Sequence, residues 1–260
     1  MGRLSGKVAI VTGAGSGFGE AMAHAFVAEG AHVLVADIAV DSANRVVEAI
    51  MSKKEESGTE GSAIFAPLDV TQRHQWEEAL AVAVSRFGKL DVVVNNAGTT
   101  YRKQPSIDVA EEDFDRIINV NIKSIYLSVA VVMPYFKEQK NGVFLSTSSV
   151  AASKVRPGQV WYGGTKAFLG RVSQGLAAEY GPYGVRVNCL CPLRGATGLL
   201  EMFSGVSDTP EERERFAKTV PLGRMSEPQD VANAAVYLAS DEASFISGVD
   251  LPIDGGRLTV

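Results

Sequence analysis

Short β-branched runs alternate with longer stretches of helical periodicity along almost the whole chain, and that rhythm limits the folds open to it. "KVAIVT" (7–12), "HVLVAD" (32–37), "SAIFAP" (62–67), "LDVVVNN" (90–96), "GVFLSTS" (142–148), "VRVNCL" (185–190) and "GVDLPI" (248–253) read as strands. The first, second, fourth and sixth are nearly continuous apolar runs, as in strands buried on both faces. Helical patterns fill 17–29, 41–57, 72–87, 111–139, 159–180 and 228–239. Asp41 is placed to cap the second, and Ser226 or Glu227, ahead of Pro228, the last. Such alternation needs crossover connections. It predicts an α/β fold, a doubly wound parallel sheet of about seven strands with helices on both faces. With 260 residues and 46% hydrophobic content, the chain can build this as a single domain. Only 193–225 breaks the rhythm. An insertion beyond a strand's carboxyl end is either a lid or substrate loop, or an extra helical pair covering the core.

Charge and cysteine usage narrow the function. The formal charge is −5, and "KKEE" (53–56) and "EERER" (211–215) mix both signs. No basic face marks a nucleic-acid or anionic-membrane partner. No apolar run approaches the ~20 residues of a membrane span. The start, "MGRLSGKVAIVTGAG", reads as a strand rather than a signal peptide. Cys189 and Cys191 are expected to face opposite sides of a strand and stay unbridged, as free thiols in a reducing cytoplasm. Without further ligands nearby, they hold no metal.

"VTGAGSGFGEAMAHAF" (11–26) follows the first strand and opens the first helix. Gly13, Gly15, Gly17 and Gly19 leave room for a pyrophosphate to approach backbone amides at a helix N-terminus. The spacing is T-G-x-x-x-G-x-G, with Phe18 where the last glycine of G-x-G-x-x-G would fall. Asp37 ends the second strand; a carboxylate there accepts both adenosine ribose hydroxyls and repels a 2′-phosphate. No Arg or Lys lies in 14–18 or 38–40. These residues predict NAD over NADP.

In "WYGGTKAFLG" (161–170), Tyr162 and Lys166 stand four apart, on one helix face. At ~5 Å and an effective dielectric of ~20, the ammonium is worth roughly 3 kcal/mol. That is about two pKa units, enough to bring a phenol toward its working range as acid and base.

These motifs, in this order over essentially the whole chain, resemble the short-chain dehydrogenase/reductase family, with its TGxxxGxG and YxxxK patterns and Rossmann-type fold. Thr12, Gly13, Gly17 and Gly19 match its dinucleotide motif, Asp69-Val70 its adenine contact, and "NNAG" (95–98) its strand-stabilising turn. Asn121, Ser149, Tyr162 and Lys166 match its catalytic tetrad, and Thr197 its nicotinamide carboxamide contact. The resemblance implies cofactor contacts from Gly13, Ser16, Gly17, Phe18, Gly19, Asp37, Ile38, Asp69, Val70, Asn96, Ala97, Gly98, Tyr162, Lys166, Pro192 and Thr197. It further implies Tyr162 as the acid/base, Ser149 bonding the reacting oxygen, and Lys166 holding the nicotinamide ribose. Asn121 either positions a water for proton relay or is a satisfied buried amide. Leu193 stands where the family usually has glycine, altering the loop path expected there. A homotetramer through helices at about 111–136 and 159–180 is implied too.

The function expected is an NAD-dependent oxidoreductase interconverting a secondary alcohol of sugar, polyol or hydroxy-acid type with its carbonyl. A 3-oxoacyl carrier-protein reductase, a steroid or alicyclic alcohol dehydrogenase and a non-catalytic NAD-binding scaffold are the alternatives. A hydrolase built on Ser149 fails on chemistry: the histidines, at 24, 32 and 74, lie far from it in sequence. Arg102, Arg156, Trp161 and Arg194 are candidate substrate residues. The arginines could bind an anionic group or form plain ion pairs, while Trp161, Phe203 and Leu199–Leu200 could instead line an apolar pocket.

Overall fold

The computed structural model describes residues 2–57, 60–195, 202–203, 205 and 207–260. Seven parallel strands form one sheet: β1 (Val8–Thr12), β2 (His32–Asp37), β3 (Ser62–Pro67), β4 (Val92–Asn95), β5 (Gly142–Thr147), β6 (Val185–Pro192) and β7 (Asp250–Ile253), in the order β3-β2-β1-β4-β5-β6-β7. The helices are α1 (Gly17–Ala28), α2 (Val40–Ser57), α3 (Arg73–Phe87), α4 (Glu111–Ile118), α5 (Ser124–Gln139), α6 (Val160–Tyr180), α7 (Pro210–Ala217) and α8 (Pro228–Ala239).

Alternate residues of β1 feed separate cores. Ala9 and Val11 pack with Met22 and Phe26 of α1 and Val231 and Ala235 of α8. Val8 and Ile10 pack with Trp76 of α3 and Val132, Met133 and Phe136 of α5. A strand buried on both faces must be apolar throughout, which explains the unbroken hydrophobic runs. The strand order reverses between β1 and β4, and a crevice at that switch point opens at the strands' carboxyl ends.

Three expectations are corrected. Asp41 lies within the first turn of α2, which begins one residue earlier; Glu227 precedes α8, its N–H donating to the Asp230 carboxylate at 2.8 Å. Cys189 and Cys191 are free and buried, but they share one cluster with Ile125 and Leu169. With a side-chain period of two, residues i and i+2 point the same way. Lastly, the continuous helical stretch Glu111–Gln139 is long and apolar enough, by length and composition alone, to cross a membrane. Its Leu127, Met133 and Phe136 lie in the core beside β5, as a core helix requires. A π-helical turn, Asn119–Lys123, separates α4 from α5 within it. Such turns are frequent at functional sites.

Candidate active site

A cavity of about 650 Å³ lies along the switch point. At one end are Asp37 and Ile38; the middle is walled by Gly13, Ser16, Gly17, Phe18 and the Asn96–Gly98 turn. Ser149, Tyr162 and Lys166 reach the same space, as do Asp69, Val70 and Pro192.

The glycine turn suits a phosphate. Gly13 has φ +61°, and a Cβ at Gly19 would sit 2.2 Å from the Gly13 carbonyl oxygen, so a side chain there would break the turn. Ser16 occupies the N-cap of α1 without a side-chain capping bond. The first-turn amides thus remain available to a ligand. The turn is held from two sides. Gly15 N–H donates to Asp37 Oδ2 (2.8 Å), and Arg45 of α2 donates to the Gly15 carbonyl (3.0 Å) while pairing with Glu20 (2.8 Å). The second Asp37 oxygen accepts from Ala39 N–H (2.9 Å).

Asn96 ties this turn to the end of β5. Its Nδ2 donates to the Thr12 carbonyl (2.9 Å), its Oδ1 accepts from Thr147 (3.2 Å), and Thr12 Oγ1 accepts the Asn96 and Ala97 N–H groups (both 3.0 Å). Asp69 Oδ1 is committed to Thr71.

Of the three serines near the end of β5, one faces the phenol. Ser149 stands close enough to Tyr162 to act on its phenol and accepts Ala151 N–H (3.1 Å). The Ser148 hydroxyl instead donates to the Lys166 carbonyl (2.8 Å). Tyr162 and Lys166 lie in the first turns of α6, both buried. The Lys166 ammonium donates to the Thr147 carbonyl (2.8 Å) and sits 5.8 Å from the Tyr162 ring centroid. Asn121, in the π-helical turn, accepts Thr99 N–H (2.9 Å) and donates to the Thr99 carbonyl (2.9 Å) and Thr165 Oγ1 (3.0 Å). Its side chain is a satisfied buried amide.

A family model described as Enoyl-(Acyl carrier protein) reductase matches residues 13–257. The 4-formylbenzenesulfonate dehydrogenase of Comamonas testosteroni is 42% identical over 254 residues, covering 98% of both chains. The 2,5-dichloro-2,5-cyclohexadiene-1,4-diol dehydrogenase of Sphingobium indicum is 36% identical over 257 residues, 98% of this chain and 97% of that one. The crystal structure of the 3-ketoacyl-(acyl-carrier-protein) reductase from Brucella melitensis complexed with NADH superposes with a TM-score of 0.88. It is 39% identical, over 98% of this chain and 99% of that one. The chain belongs to the short-chain dehydrogenase/reductase family. Membership brings a nicotinamide cofactor, and the turn, the α1 amides and Asp37 form a cradle that fits one.

The electrostatics of this dehydrogenase/reductase site differ from the sequence expectation. Burial pushes the Tyr162 phenol up, opposed by Ser149. Burial also pulls Lys166 down to about 8, opposed by Cys189 and Cys191. Desolvation acts against the charged form of each group and outweighs Ser149 at the phenol and the two thiols at the ammonium.

Other expected residues sit elsewhere. Arg102 is exposed, outside the cavity wall. Trp161 donates from Nε1 to the Ser106 carbonyl (3.1 Å) and packs edge-on against Phe114, also off the wall. Gly19 supports the turn from beneath, and Asn121 lies behind Thr99. Thr197 and Leu199–Leu200 fall outside the described residues. Arg156 and Arg194 do reach the cavity. Sequence reasoning missed Arg45, because its contact with Gly15 spans 30 residues. It also missed Phe216, described below.

Proposed function

We propose that this protein is an NAD-dependent oxidoreductase interconverting a secondary alcohol and its carbonyl, with Tyr162 as the acid/base. The observation carrying the reading is that Ser149, Tyr162 and Lys166 line the same cavity as the glycine turn and Asp37, with the Lys166 ammonium 5.8 Å from the Tyr162 ring centroid. Nicotinamide, when bound, supplies or accepts the hydride and, oxidised, a positive charge. Ser149 bonds the reacting oxygen and Tyr162 exchanges its proton with it. With its phenol pushed up, Tyr162 starts protonated, ready to donate to a forming alkoxide. Lys166 holds the nicotinamide ribose. Asn121 acts by fixing Thr99 and Thr165 around the site.

Asp37 supports NAD over NADP, as a carboxylate repels a 2′-phosphate; the similar Brucella reductase was crystallised with NADH. Insertion 193–225 serves as a lid: the Met202 carbonyl accepts Lys103 N–H (3.0 Å), and the Phe203 ring meets Tyr162 edge-on at 5.0 Å. Tyr126 on α5 and Phe168 on α6 are exposed apolar surfaces that support a homotetramer. Buried free thiols favour a reducing compartment such as the cytoplasm.

The test is an absorbance screen for NADH formation over secondary alcohols, with NAD and NADP in parallel. On any active substrate, Tyr162→Phe should lower kcat by ~10²–10⁴. Near-normal turnover by that variant would remove Tyr162 from the chemistry.

A further inference from the structure

Beyond Tyr162, away from Asp37, the cavity holds cations that the hydride chemistry does not use. Arg194, half-buried just after β6, has its guanidinium carbon 4.1 Å from the Phe216 ring centroid. Arg156, from the loop between Ser149 and α6, reaches the same ring at 5.6 Å. Both line the cavity together with Lys154. Arg156 is exposed at the rim, yet its guanidinium lies deep enough for burial, and then the neighbouring Arg257, to lower its basicity. Burial and Arg156 likewise lower that of Arg194, against Glu212 and Asp208.

Lys154 is engaged, its ammonium donating to the Val260 carbonyl (2.6 Å), but the two arginines have no such partner among the described residues. Among the described residues no carboxylate forms an ion pair with Arg156 or Arg194. Asp208 engages Arg213 (2.6 and 2.5 Å), and Glu212 engages Arg215 (2.9 Å). The Nε atom of Arg194 is buried without a hydrogen-bond partner. Proteins ordinarily satisfy buried donors, so the unpartnered Arg194 Nε asks for a ligand.

We propose that Arg156 and Arg194, stacked against Phe216, form an oxyanion-binding pole, and that the substrate is a ring-bodied alcohol or ketone carrying a carboxylate or sulfonate. This rests on the oxidoreductase reading. Phe216 packs with Leu193, Val220 and Val150, and Val150 directly follows Ser149. The wall joining the reacting hydroxyl to the arginines is therefore apolar, closed by Phe203 against Tyr162. Such a wall accepts an aromatic or alicyclic body, while the planar guanidinium forks match an oxyanion in a bidentate way. The glycine turn at α1, not this pole, is the place for cofactor phosphate.

The decisive experiment is a calorimetric titration of protein loaded with NAD⁺, which cannot reduce a ketone. The ligands are 4-acetylbenzoate, 4-acetylbenzenesulfonate and the neutral 4-acetylbenzamide. The two anions should bind at least about tenfold tighter than the amide. In Arg156→Gln and in Arg194→Gln that preference should shrink to roughly threefold or less, whereas Arg156→Lys should keep more of it. Equal binding of amide and anions, an unchanged ratio in both Gln variants, or loss of NAD⁺ affinity in place of anion affinity overturns the pole. Failure of the matching 1-arylethanols to produce NADH would count against the oxidoreductase reading; the binding ratio stands or falls by itself.

Discussion

Asp37 does two things with one carboxylate: one oxygen bonds Gly15 N–H, the other Ala39 N–H. An acid at the end of β2 is legible in the sequence, because its place follows from counting strand, glycines, helix and strand. Its grip on the turn is not legible, nor is the opposing bond from Arg45. Replacing Asp37 by Ala should lower the NAD:NADP preference in kcat/KM by at least about tenfold, since a unit charge near a phosphate is worth more than 1 kcal/mol even at high dielectric. Parallel steady-state kinetics with both dinucleotides measure it. An unchanged ratio would mean that Asp37 only shapes the loop. Asn121 shows the same limit: its position matched a motif, but the partners that satisfy its amide come from Thr99 and Thr165.

Among the elements, Leu193 is the instructive departure. It stands where the family usually has glycine, and it is buried against Phe216 and Val220, anchoring α7 over the end of β6. Its N–H donates to the carbonyl of Ile253, the last residue of β7 (3.0 Å), continuing the ladder one residue past β6. Leu193→Gly should cost roughly 2–5 kcal/mol, the range for emptying a buried leucine site. Hydrogen exchange should quicken over Pro210–Ala217 while β1 and β4 stay protected. Unaltered exchange in α7 would show that the helix is held by other contacts.

For the whole molecule, the buried lysine ties function to stability. Folding moves Lys166 from its ordinary 10.5 to about 8. Between those values the unfolded chain carries a proton that the folded chain lacks, so this group makes stability rise with pH across the window. Below about 8 the buried charge is a constant cost. Cys189 and Cys191, raised by burial from 9.0 to about 12 and about 11, act oppositely above 9. The lysine must therefore be isolated by difference. The stability of Lys166→Met minus that of the parent should fall by about 2 kcal/mol between pH 7.5 and 9.5 in urea melts, while the variant loses activity. A flat difference would mean that the lysine is hydrated in the folded protein.

Strand and helix positions, the parallel sheet and the phosphate turn were set by local information: apolar periodicity, glycine spacing and the rule that consecutive parallel strands need crossovers. So was the pairing of Tyr162 with Lys166, because one helical turn brings i and i+4 together. What only the folded chain decided depends on burial and on contacts between residues distant in sequence. Desolvation set the direction of the Tyr162 and Lys166 pKa shifts, and for the phenol it ran against the expectation from charge alone. The fold left Arg102 and Trp161 off the cavity wall and brought Arg156 and Arg194 to Phe216. Periodicity says which face of an element is apolar. It does not say which distant side chains will share a place without water.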